Sequence, residues 1–310
     1  MAGLNKETWL SLLIGANENF WQSDWFLSMG VDMSMHVESN EFVNFANKGA
    51  TPNVIKNATY PLPIVTRTDI PDKVPMNKYS TECVKLPYVD LMKLAYDKKN
   101  SVLGDHRESL INQVATEGLW VVSPYQNAAK TPVVDTDAGN AVASDTFKVI
   151  TSKDIMNLRV KLDKAYPALK KARWVLVMDA IAFWYLVEND ATLKGQIQNT
   201  GKIGEVWLPR VFYHGFEIMM DDRTPYYTSG GIRVAYGATV NTAGGDRPSA
   251  TAFVDQRSFE VAIGTAKMFS KEDDPEYQAD FASFLLPASV SPWSLDLQTN
   301  LQFLGAIIRK

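Results

Sequence analysis

An α+β architecture is what this 310-residue chain predicts, on three observations. One long helix stands out near the middle, within the stretch Leu94–Pro124. Elsewhere short apolar or alternating runs read as strands, at 31–37, 42–46, 173–178, 212–220, 259–268, 281–286 and 301–308. Strands and helices follow neither a steady βαβ alternation nor a repeat of roughly 20 to 50 residues, which argues against a doubly wound sheet, a solenoid or a propeller.

The helix is the element the chain is organised around. Leu103, His106, Leu110 and Val114 fall on one stripe, and Ile111, Ala115 and Leu119 widen it into a core-facing side. Asn100 or Ser101 offers a cap, and Asp105 and Glu108 sit early, where the helix dipole favours negative charge. Pro124 stops it. A helix of about 20 residues is roughly 30 Å long, enough to serve as a spine.

In chain order, 4–14 suits a short amphipathic helix, followed closely by Phe20, Trp21, Trp25, Phe26 and Leu27. So many aromatics need a surface, either that of their own domain or that of a neighbouring copy. Residues 31–37 alternate like a half-buried strand. Residues 60–68 and 73–86 read as two extended arms with turn chemistry at Asp69–Asp72. Pro61, Pro63 and Pro75 confine those arms to edges. A two-stranded ribbon is marginal alone in water, so it needs its own domain or a second molecule. Residues 126–146 read as an irregular loop. Ser152 is the expected N-cap of a helix ended by Pro167, and 173–178 is a buried strand. Asp179 opens another helix, with a short one from Asp190. Phe212–Met220 is a strand bent at Gly215, Asp273-Asp274-Pro275 a turn, and 301–308 the last strand.

Composition excludes several functions. Hydrophobic residues make up 46%, with eight Trp and 14 Phe, which argues against general disorder. A net charge of −4 supplies no global field for gripping nucleic acid. The single cysteine, Cys83, allows neither an internal disulfide nor a CxxC zinc pattern, and fits synthesis in a reducing compartment. No basic-then-apolar leader opens the chain and no apolar run reaches the length of a membrane span.

No catalytic constellation emerges. His36, His106 and His214 are far apart in sequence, and no GxSxG, HExxH, P-loop or GxGxxG is present. His106 lies on the apolar stripe, which suggests a hydrogen-bonded core or interface role. Asp221-Asp222 and Asp273-Asp274 could hold a hard cation but are read as solvated turns. Lys161, Lys164, Lys170, Lys171 and Arg173 form a basic cluster, a solvated face or else a contact for a partner's acidic patch or a phosphate backbone. A hydrolase using Cys83, His106 or Asp221 is the enzymatic alternative. The expectation is no enzyme, no cofactor and no metal.

The joint order of elements resembles the tailed-bacteriophage major capsid proteins of the Hong Kong-phage fold, which encapsulin shells share. The resemblance is carried by VDMSMHVESNEFVNFANKGATPNVIKN after the arm, YPLPIVTRTDIPDKVPMNKYST as the extended loop, and LAYDKKNSVLGDHRESLINQVATEGLW as entry and spine helix. RWVLVMDAIAFWYLVENDA with FYHGFEIMMDD matches the axial part, and FEVAIGTAKMFSKEDDPEYQADFASFLL with LGAII the closing strands.

The resemblance implies an N-terminal arm at 1–50 and an extended β-hairpin loop at 51–92. It implies a peripheral domain with the spine helix at 93–150 and 256–310, and an axial domain at 151–255. It further implies self-assembly into hexamers and pentamers of an icosahedral shell enclosing double-stranded DNA, held only non-specifically. The partners implied are portal and scaffolding proteins, with decoration proteins as optional additions, and no membrane. The shell would belong to the virion and be made in the bacterial host cytoplasm. Met1 leads almost directly into arm-like sequence, so any scaffold is expected as a separate protein. Lys73, Lys78 and Lys85 lie in the loop region, but nothing identifies a crosslinking partner. The residues expected between copies are Trp9, Phe20, Trp21 and Trp25 in the arm, and Tyr60, Ile64, Val65 and Tyr79 in the loop. An encapsulin-like compartment enclosing a cargo enzyme is the alternative with the same fold.

Overall fold

A computed structural model describes residues 24–47, 54–57, 60–61, 64, 70–87, 98–137, 146–194, 202–203, 206–207, 210–292 and 303–310. The elements, in order, are β1 (Val31–Asp32), β2 (Val37–Glu38), β3 (Phe42–Asn47), β4 (Ile70–Pro75), β5 (Asn77–Ser80) and β6 (Val84–Pro87). The spine helix α1 (Lys98–Val122), β7 (Val133–Asp135), α2 (Ser152–Ala165), β8 (Trp174–Met178), α3 (Ala180–Asn189) and α4 (Ala191–Lys194) follow. Then come β9 (Lys202–Ile203), β10 (Val206–Trp207), β11 (Arg210–Tyr213), β12 (Phe216–Met220), β13 (Tyr226–Tyr227) and β14 (Arg247–Val254). The chain ends with β15 (Phe259–Ile263), β16 (Lys267–Asp274), β17 (Ala279–Pro292) and β18 (Leu304–Ile308).

Two sheets form the body. One has the order β11-β12-β8-β14-β18-β7, with β13 on β14. In the other, β17 is the hub, paired with β15, β16, β5 and β6, and β1 lies beside β15. Alternation along β8 explains the layering. Trp174, Leu176 and Met178 join Ile155, Leu158, Leu162, Phe183 and Leu186 of α2 and α3 on one face. Val175 and Val177 point the other way, into a second core with Leu110, Val114, Leu119 and Val122 of the spine. That core also holds Phe259, Val261, Phe284 and Leu286 of the β17 sheet. The spine is therefore wedged between the sheets, which is why its stripe is wide. Gly118 marks a close approach: a Cβ there would lie 2.9 Å from the Phe26 ring and 3.1 Å from Val290.

Several elements differ from the sequence-based expectation, each for a local reason. The spine starts at Lys98, ahead of the expected cap at Asn100 or Ser101. The expected strand 31–37 is interrupted by a 3₁₀ turn at Ser34–His36, where the Asp32 carboxylate accepts from Ser34 N at 2.9 Å. The loop after the spine contains β7, which pairs parallel to β18. The cap of α2 is Thr151, not Ser152: Asp154 accepts from Thr151 N at 2.9 Å and from its hydroxyl at 2.7 Å. The bend at Gly215 is a tight two-residue hairpin, with His214 at φ +48° and Gly215 at φ +79°. Residues 259–268 form two strands, and β16 runs through Asp274 before the turn.

The extended arms also pair differently. Ile70–Pro75 is a strand, not a turn, and runs antiparallel to β3 (Phe42↔Pro75 to Asn47↔Ile70), giving the small sheet β2-β3-β4. Its prolines are tolerated because β4 is at that sheet's edge. The lower arm, β5 and β6, returns onto β17. Thr81 bridges the break between them, donating N–H to Phe284 O at 2.9 Å.

Candidate assembly surfaces

The root of the arm is fastened inside the subunit. Trp25 is 3% exposed, its ring edge-on to Phe26, and its Nε1 donates to Asp221 at 2.9 Å. Arg223 donates to Asp221 and, at 2.8 Å, to Asp24. Burial opposes the guanidinium's charge, but the two carboxylates outweigh it and hold its pKa above the ordinary value. Trp25, expected between copies, thus makes its described contacts within its own chain. Trp9, Phe20, Trp21 and Val65 lie outside the described residues.

The far end of the spine is fastened as well. Arg233 stacks 3.8 Å from the Trp120 ring and donates to the carbonyls of Trp120, Val121 and Ser123, capping the last turn. Trp120 Nε1 donates back to Val234 O at 2.7 Å.

The ribbon is different. Tyr60 is 84% exposed, Ile64 95% and Val54 98%; Met35, Ile55 and Phe42 are exposed too. At its root Tyr79 is half-buried, its hydroxyl donating to Glu117 of the spine at 2.7 Å, while Asn77 donates to the other Glu117 oxygen. Burial first, and Glu117 second, push the Tyr79 pKa above its usual value. Beside this root a cavity of about 670 Å³ opens between β5–β6 and the spine, lined by Tyr79, Val102, Leu110 and His106, with Lys78, Glu82 and Asp105 at polar positions.

The residues considered for chemistry are not gathered. Cys83 is exposed. His36 is exposed and His214 bonds Ser152 at 2.8 Å. Asp221 is engaged by Arg223, and Asp222 accepts from Ala180 N at 2.8 Å. Among the described residues no group of His, Cys, Asp or Glu is placed to hold a metal ion. None of the described helices is long and apolar enough to cross a membrane. In the basic cluster Arg173 is ion-paired with Glu217 and Asp255, leaving exposed lysines. Sequence reading missed Glu217, buried under Arg173 and Arg210, and Glu260, whose carboxyl is pushed up to about 7 by burial. Their strand alternation was visible, but which face was covered was not.

No protein-family model matches the chain, and no curated protein is similar to it in sequence. Solved structures do match its fold over nearly its whole length. The capsid of Ralstonia phage GP4 aligns with a TM-score of 0.62 at 11% identity, over 91% of this chain and 87% of that one. The capsid of cyanophage P-SCSP1u aligns at 0.57 with 14% identity, over 90% and 86%. A virus-like particle from Pyrococcus furiosus aligns at 0.51 with 10% identity, over 97% and 98%. The chain has the α+β fold of tailed-phage capsid subunits, the Hong Kong-phage fold, and the structures it is similar to are mostly phage capsids.

Proposed function

We propose that this protein is the major capsid subunit of a tailed bacteriophage, tiling with copies of itself into an icosahedral shell around double-stranded DNA. The observation that carries the reading is the ribbon: an extension with apolar residues at its surface, on a chain whose fold is matched over 91% of its length by a phage capsid structure. A lone soluble protein has no use for Val54, Tyr60 and Ile64 held out in water. The subunit then comprises an arm (1–50), a loop (51–92), a peripheral domain (93–150 and 256–310) and an axial domain (151–255). Its role is structural and not enzymatic. Hexamers and pentamers form from this one chain, portal and scaffolding proteins assist, and the finished shell is in the virion after synthesis in the host cytoplasm. A net charge of −4 suits a wall that contacts its DNA without gripping it.

An encapsulin-like shell around a cargo enzyme is the second reading, favoured by the coverage of the Pyrococcus particle and weakened by the predominance of phage capsids among the neighbours. Negative-stain microscopy of the purified protein tests both: polygonal particles are expected, and a monodisperse monomer at every concentration rejects them. Deleting Arg67–Lys73 should abolish or destabilise the particles.

A further inference from the structure

Among the described residues, the spine helix carries a buried polar atom that its own chain leaves without a partner, Nε2 of His106. The residue is 6% exposed, its ring tilted against Phe284 at a centroid distance of 5.1 Å. Burial drives its pKa below the ordinary value, against the pull of Asp105, so the imidazole is neutral at neutral pH. A neutral imidazole donates or accepts at Nε2 according to its tautomer, and burying it with neither bond is costly. His106 lines the cavity of about 670 Å³ at the ribbon root, beside Val102, Leu110 and Tyr79.

We propose that this cavity seats the ribbon of a second copy, and that His106 completes its hydrogen bonding on the hydroxyl of that copy's Tyr60. The inference deepens the shell reading and rests on it. Three matches support the choice of occupant. Tyr60 has an apolar ring for the Val102–Leu110 floor and a hydroxyl that serves either tautomer of His106. The cavity holds a tyrosine side chain with room for a neighbouring apolar group, and the ribbon offers Val54, Ile55 and Ile64. The cavity carries Glu82 and Asp105 against Lys78, while Lys56 is the charged residue among 54–57, 60–61 and 64, the described positions around Tyr60. The occupant comes from another molecule, because the subunit's own Tyr60 is 84% exposed. Knob and socket are different patches of one chain, so the contact is head-to-tail and closes only by symmetry, as a shell requires.

The test replaces Tyr60 by the photo-crosslinking residue benzoylphenylalanine in the full chain. Irradiated particles should yield crosslinks from the ribbon of one copy to 101–113 or 78–84 of another, absent from dissociated subunits. Particles whose crosslinks map elsewhere overturn the inference and leave the shell reading standing; wild-type protein that forms no particles removes both. If the crosslinker itself blocks assembly, a double-mutant cycle decides. Tyr60→Phe should speed subunit exchange about fivefold, the worth of one hydrogen bond, without moving the subunit's unfolding midpoint. In a His106→Leu background that further increase should vanish. Additive effects of the two substitutions overturn the proposal.

Discussion

The body and the ribbon of this protein follow opposite rules. In the body, the spine is packed on two sheets at once, its last turn is fastened by Arg233, Arg223 ties down the root of the arm, and strand β8 is buried on both faces. In the ribbon, residues of the same apolar character stand in water, and the described polar links are surface ones such as Lys73 to Glu38 at 2.7 Å. The body is complete as one chain. The described apolar residues of the ribbon have no such cover, and hydrophobicity alone does not distinguish the two; only the presence of a covering layer does.

That contrast can be broken experimentally, most strongly in the body. Phe26→Ala removes a ring stacked on Phe259 at 4.6 Å and should cost about 3–5 kcal/mol, read as a lower denaturant midpoint of the isolated subunit. Glu260 tests burial through pH. Its folded pKa of about 7 lies above the unfolded 4.5, so the folded chain holds the proton more tightly and stability falls as pH rises through that window. The loss should reach up to about 3 kcal/mol by pH 8, and Glu260→Gln should flatten the curve. A mutant with the same pH slope would assign the dependence to another group. Arg233→Met leaves the carbonyls of the last spine turn unmet and should cost about 1–3 kcal/mol, with faster amide exchange at 119–123. The smallest effect on folding belongs to the ribbon. Ile64→Ser should change subunit stability by no more than about 0.5 kcal/mol while lowering particle yield. A large stability loss there would mean the ribbon folds onto its own body.

Much of the body was legible in order and type. The spine's stripe, the apolar run of β8 and the capping Asp179 before α3 are local patterns, set by side-chain periodicity and by which short polar groups satisfy free backbone N–H groups. The pairing of β4 with β3 was not legible, since two proline-marked arms suggest each other as partners and nothing local says that a strand further back competes. The small strand β7 was hidden for the same reason: three residues acquire strand geometry only because β18 lies beside them. Of the residues expected between copies, Tyr60 and Ile64 are exposed, whereas Trp25 is buried because Asp221 and Phe26 close around it, a difference no local pattern carries.

By itself, then, the amino-acid order determined the α+β class, the spine and the existence of an extension too thin to bury its own apolar residues. Tertiary structure alone decided which aromatics are covered, which strands are neighbours, and that His106, among the described residues, is left with an unmet hydrogen bond beside an open cavity. Periodicity is a property of neighbours along the chain, whereas burial and hydrogen-bond satisfaction are properties of groups hundreds of residues apart that meet only when the sheets close on the spine.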